Sequence, residues 1–371
     1  MVLGLVGILA GCGPSEGDTA GGTARDTAPV DVVAALAAPG PYAVGYRESA
    51  VGYPDPAHPG ADRTLRLAVW YPTPDTAGTD AVYAQFYPAP GVWDHATVSP
   101  GLFPLAVFSH GHQGYAEYSS FLMTHLASHG WIVAAPDHTG NTTFDSPDRT
   151  TEIYLQRPGD ISAVIDGLSG VLSPDSGDMD EVVAAVAPGP VVAMGHSFGG
   201  YTMLALSGGV YDMDLWSVAC AEGNTRPFCA TMTPDYESRF RAGFRDDRIG
   251  GVVIMAGGDT DLFGAAGLAA IEQRVLHMTA TEDQGPGSEG DFLWDNLHDG
   301  DDVRVILEGA GHQSFTDYAN VLEDVPLAQA EAWRIVDVYT LAWGQALRGD
   351  DAAAAVLDGT EPVSDAASLL R

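Results

Sequence analysis

The run Pro190-Val191-Val192-Ala193-Met194 enters Gly195-His196-Ser197-Phe198-Gly199 and leaves as Gly200-Tyr201-Thr202-Met203-Leu204-Ala205-Leu206. An apolar run of strand length, a serine between glycines and an apolar run of helix length describe strand, sharp turn and helix. Glycines on both sides let the backbone take a strained turn, which lifts the Ser197 hydroxyl above the sheet edge at a helix N-terminus. The bare pattern is weak evidence in a chain with 45 glycines, so the argument rests on its flanks.

The surrounding rhythm agrees. From Thr64 onward, short apolar runs alternate with helical patterns, the signature of an α/β chain with a mostly parallel central sheet and flanking helices. Strands are expected over 65–71, 105–109, 131–136, 191–195, 251–256, 274–279 and 303–308, and helices over 115–128, 160–172, 198–207, 264–271 and 327–347. Residues 209–247 break the pattern, with arginines, aromatics and no clear period. They are expected to form a small cap insertion over the C-terminal edge of the sheet. The main domain is read as 40–348, and residues 349–371 as a frayed, acidic, Ala-rich tail.

A serine hydroxyl is a poor nucleophile until a base takes its proton. His312, in Gly309-Ala310-Gly311-His312-Gln313-Ser314-Phe315, follows the last expected strand of the domain, where the chain order Ser, acid, His places a base. The acid should lie at a neighbouring strand end. Asp283, closing Ala280-Thr281-Glu282-Asp283 after the strand 274–279, fits best; Glu282 is adjacent, and Asp259 and Asp261 follow the preceding strand. An oxyanion needs two backbone donors: Phe198, next after the serine, and His112, in Phe108-Ser109-His110-Gly111-His112-Gln113-Gly114. His110 and His112 could alternatively be a metal pair or plain turn residues, but no third ligand stands at a recognisable spacing. No metal and no cofactor is required.

Fifty acidic against 16 basic residues give a formal charge of −34, which repels nucleic-acid phosphates and makes nucleic acid an unsuitable partner. At the N-terminus, residues 2–10 are apolar, too short to span a bilayer but long enough for a signal core, and Leu9-Ala10-Gly11-Cys12 follows. This resembles a bacterial lipoprotein signal (1–12), which implies lipidation of Cys12 and an exported protein anchored to the cell envelope, the outer membrane in particular. Residues 13–39 then read as a flexible tether. In an exported chain, Cys220 and Cys229 are expected to form a disulfide, with free thiols as the alternative.

At Leu105–Asn141, V-F-S-H-G-H-Q-G, Y-S-S-F and L-A-S-H-G-W-I-V-A-A-P-D-H-T-G-N resemble the bacterial dienelactone-hydrolase-like esterases and the secreted platelet-activating factor acetylhydrolases. Arg157-Pro158-Gly159-Asp160, G-H-S-F-G-G and G-A-G-H-Q-S-F-T-D extend the likeness over roughly 40–346. It implies an α/β-hydrolase fold and a serine carboxylic-ester hydrolase with a Ser197-Asp283-His312 triad, acting on a small-molecule or lipid ester. His112, where many relatives carry an apolar residue, and the insertion around Cys220 and Cys229 are departures. Strict dienelactone hydrolases use a Cys nucleophile, so Ser197 points to ester hydrolysis instead. An amidase or peptidase using the same triad, or a non-catalytic binding protein on the same scaffold, is the rival reading.

Overall fold

Strands β1 (Ala43–Pro54), β2 (Asp62–Thr73), β3 (Asp80–Tyr83), β4 (Tyr87–Asp94), β5 (Leu105–Ser109), β6 (Ile132–Pro136), β7 (Val191–His196), β8 (Ile249–Met255), β9 (Arg274–Ala280), β10 (Val303–Leu307) and β11 (Ala367–Leu370) join in one sheet. Its order is β11-β10-β9-β8-β7-β5-β6-β2-β1-β4-β3. This is a computed structural model describing residues 31–145, 149–174, 177–285, 289–297 and 300–371. Cys12, the expected signal 1–12 and the tether as far as residue 30 lie outside the described residues.

The central strands β10, β9, β8, β7, β5 and β6 are parallel, while β2 and β11 pair antiparallel at the two flanks. Side chains on a strand alternate between faces. On β5, Ala106 and Phe108 join one core while Leu105 and Val107 join the other, and β6 and β7 divide in the same way. Helices Ser120–Ser128 and Gln329–Leu347 cover the first face, and Thr151–Leu168 and Phe198–Leu206 the second. The chain runs from β5 to β6 on one side and returns to β7 on the other. The loops after β5 and β7 therefore part at a topological switch point, where such sheets open a crevice at the carboxyl ends of their strands.

Several expectations need correction. Strands β1, β3, β4 and β11 fall outside the expected set: β1 and β4 show no simple alternation of burial, β3 and β11 alternate over only four residues each, and Arg47 of β1 turns inward to donate to the Tyr71 hydroxyl (3.0 Å) and the Ala96 carbonyl (3.1 Å). The expected tether 13–39 ends in the helix Val32–Ala37, with Leu36 buried and its carbonyl accepting from His125 Nε2 (2.9 Å). Nor is 349–371 frayed. Asp350 caps the helix Asp351–Leu357 through the Ala352 and Ala353 amides, and β11 then covers the edge of β10. Alanine is the best helix former, and an edge strand invites pairing.

The insertion is regular as well. Asp212 caps the helix Met213–Ala221, and Thr233 with Pro234 starts the helix Pro234–Ala242. Cys220 and Cys229 are disulfide-bonded, with Cα atoms 5.0 Å apart. Each helix buries few residues, Met213 and Trp216 in one and Phe240 in the other, so the periodic signal is faint.

The helix Thr151–Leu168 continues through Pro158. A proline there removes the amide that would bond the carbonyl four residues earlier. That carbonyl, on Tyr154, accepts the Tyr201 hydroxyl instead (2.7 Å).

Candidate active site

Ser197 sits at the tip of β7 with φ +54° and ψ −116°, a conformation L-residues rarely adopt. The turn closes because its flanking glycines lack side chains. A Cβ on Gly195 would stand 2.2 Å from the Gly199 carbonyl oxygen, and one on Gly199 would stand 1.9 Å from the Ser109 oxygen. The Ser197 amide donates to the Met255 carbonyl at the end of β8 (2.9 Å), and Ser197 starts the helix Phe198–Leu206.

Two loops build a hydrogen-bonded chain from its hydroxyl. His312, in the loop after β10, places Nε2 2.9 Å from Ser197 Oγ. Its Nδ1 lies 2.8 Å from Oδ2 of Asp283, in the loop after β9. A carboxylate only accepts, so Nδ1 carries the proton and the Nε2 lone pair faces the serine hydroxyl. Burial alone would push the Asp283 carboxyl up. The His312 hydrogen bond and charge, with the Gly285 amide on Oδ1 (2.7 Å), hold it below the ordinary carboxylate range. His196 holds the His312 backbone by donating from Nε2 to its carbonyl (2.9 Å).

The other acids lie elsewhere. Asp259 is clamped by Arg149 (2.9 Å) and Arg226 (2.6 Å), and Arg226 also binds Asp261. Glu282 is exposed, and only its amide turns inward, to the Ala310 carbonyl (2.8 Å).

β5 and β7 pair with Ser109 opposite Gly195, which brings the loop carrying His112 against the elbow. A Cβ on Gly111 would lie 3.2 Å from the Ser197 Cβ. The His112 and Phe198 rings meet edge to face at 6.4 Å. The Phe198 amide belongs to the first helical turn, where the helix's own ladder supplies no acceptor. His110 does not pair with His112 toward a metal: its ring nitrogens face the Gly111 carbonyl (2.7 Å) and the His138 amide (3.1 Å).

A ferulic acid esterase from Streptomyces cinnamoneus superimposes on this chain with a TM-score of 0.61 at 18% identity, covering 91% of this chain and 99% of that one. The chain has the α/β-hydrolase fold. A family model described as Chlorophyllase matches residues 83–221. The platelet-activating factor acetylhydrolase of Cavia porcellus is 24% identical over 222 residues, 44% of this chain. The match spans half the length of that relative.

Sequence reasoning missed how this chain braces its elbow. Arg157, fully buried, donates to the His110 carbonyl, to Ser109 Oγ (3.1 Å), to Thr202 Oγ1 (3.2 Å) and to Asn141 Oδ1 (2.7 Å). Since Asn141 accepts through Oδ1, its Nδ2 donates to His112 Nδ1 (2.9 Å). The Phe198 ring lies between the guanidinium groups of Arg149 (4.2 Å) and Arg157 (4.6 Å). Burial pushes Arg157 down to about 9, which still leaves it a cation at neutral pH. One side chain thus touches both the loop of His112 and the ring of Phe198.

The same brace contains a second Ser-His-Asp chain. Ser109 Oγ lies 2.9 Å from His138 Nε2, and His138 Nδ1 lies 2.8 Å from Asp160, which also binds Arg63 (2.7 Å). Its distances equal those at Ser197. All three residues are 0% exposed, against 6% for Ser197, so no substrate can reach them. The motifs R-P-G-D and P-D-H-T-G-N hold Arg157, Asp160, His138 and Asn141, and that shared placement was the available signal.

Proposed function

We propose that this protein is a serine carboxylic-ester hydrolase, an esterase or lipase of acetylhydrolase type, working through Ser197, His312 and Asp283. The hydrogen-bonded chain from Ser197 through His312 to Asp283 at a strained elbow carries the reading. As Ser197 Oγ bonds to the ester carbonyl carbon, His312 Nε2 takes its proton, and Asp283 stabilises the imidazolium. The Phe198 and His112 amides hold the oxyanion. The tetrahedral intermediate expels the alcohol, which takes the proton from Nε2. Water, deprotonated by His312, then attacks the acyl-enzyme and frees the acid and Ser197. Small-molecule or lipid esters are the substrate class.

An active-site fluorophosphonate is expected to label Ser197 stoichiometrically, and matched p-nitrophenyl ester and anilide substrates are expected to differ strongly in favour of the ester. Comparable turnover of the anilide would replace this reading with an amidase. No labelling and no turnover would leave a binding protein.

We further propose export and anchoring through a lipidated Cys12, on the strength of Leu9-Ala10-Gly11-Cys12. Cys12→Ala is expected to move the protein from the membrane to the soluble fraction, and retention on membranes would reject the anchor.

A further inference from the structure

The loops that carry His112, Asn141 and His312 each continue to an aromatic residue, and the three rings gather in one cluster. Tyr115 follows His112 by three residues, at most about 11 Å of chain. Phe144 follows Asn141, the His112 partner, and Tyr318 follows His312. The Tyr115 and Tyr318 hydroxyls bond to each other and tie the loops together. Tyr115 is buried beneath Phe144 (5.5 Å between ring centroids) and Phe86 (6.5 Å), which are 55% and 58% exposed and meet each other edge to face at 5.9 Å.

Phe86 is presented by the turn between β3 and β4, where Ala84 and Gln85 take φ +47° and +68°. The Ala84 amide is pinned to Glu117 (3.3 Å). Positive φ at both central residues is the usual geometry of a tight hairpin turn; here it holds Phe86 against Tyr115 and Phe144 while leaving more than half of its ring in water, an exposed apolar pair of the kind that marks ligand sites.

We infer that Phe86, Phe144 and Tyr115 form a shelf that receives an aromatic ring of the ester substrate, on the acyl or the alcohol side. This rests on the esterase reading above and names its substrate class. Ring faces and edges match an aryl group better than an alkyl group of equal size, because aromatic quadrupoles favour offset and edge-to-face contacts. The neighbouring acids are occupied: Glu117 and Asp137 by Arg66, Asp145 by the Gly140 and Thr142 amides, and Asp317 by Ser120. The shelf itself is uncharged in a chain of formal charge −34, so its occupant is a neutral ester.

The test compares kcat/KM for methyl 3-phenylpropanoate and methyl 3-cyclohexylpropanoate, and for benzyl and cyclohexylmethyl acetate. The protein is expected to prefer the aryl member of at least one pair. Phe86→Ala with Phe144→Ala is expected to lower that aryl-to-cyclohexyl ratio about tenfold, chiefly through KM. Phe86→Tyr with Phe144→Tyr, which keeps both rings, is expected to retain it. An unchanged ratio in the double alanine variant, from equal losses or from none, overturns the shelf. A loss confined to esters in phosphatidylcholine vesicles overturns it in favour of a lipid surface. Wild-type protein that neither hydrolyses these esters nor takes up fluorophosphonate overturns the esterase reading, and the shelf with it.

Discussion

Ser197→Ala is expected to lower ester turnover by about 10⁴-fold or more with the fold intact, and His312→Ala to do the same. Alanine keeps the Cβ and the backbone demand of the elbow, where φ is +54°. What disappears is the oxygen 2.9 Å from His312 Nε2. Without a tethered hydroxyl, residual rates come from the oxyanion donors and substrate binding alone. The loss should be nearly the same in the double variant, because the residues act as a unit. The check is kcat on a preparation purified away from host esterases, with circular dichroism to confirm folding. Wild-type-like rates in Ser197→Ala would sink the assignment.

Asp283→Asn tests the acid against Asp259, the rival one strand earlier. An amide can turn its NH₂ toward His312 Nδ1, which moves the ring proton to Nε2 and points an N–H at Ser197 instead of a lone pair. The developing imidazolium also loses its countercharge. The expected result is a fall in kcat of about 10⁴-fold with KM little changed. Asp259→Asn is expected to leave kcat within a few-fold of wild type, since Asp259 faces Arg149 and Arg226. Its cost should appear as a lower Tm, because two guanidinium groups lose part of their partner. The reverse pattern would move the acid one strand earlier and keep the nucleophile and base in place.

What made Ser197 and His312 legible is that both depend on local demands. A Cβ on Gly195 or Gly199 would come within 2.2 or 1.9 Å of a backbone carbonyl oxygen, so the turn leaves a mark in closely spaced residues. The parallel core was legible for the same reason: β5 to β10 are buried apolar runs separated by helices, a pattern confined to short windows. The flanks were not. β1 turns an arginine inward, β11 lies far along the chain from its partner β10, and the insertion helices bury too few residues to show a period.

The sequence by itself determined the elbow, the place of His312 after the last parallel strand and the parallel α/β core, because each follows from contiguous residues or from chain order. Tertiary structure decided which of several carboxylates meets His312. Among 50 acidic residues, pairing depends on which strand ends the sheet order sets side by side. It also decided between two Ser-His-Asp chains of equal hydrogen-bond lengths. Ser109 is sealed at 0% exposure beneath Arg157 while Ser197 keeps 6%, and access to solvent is a property of the packed molecule, not of any stretch of its chain.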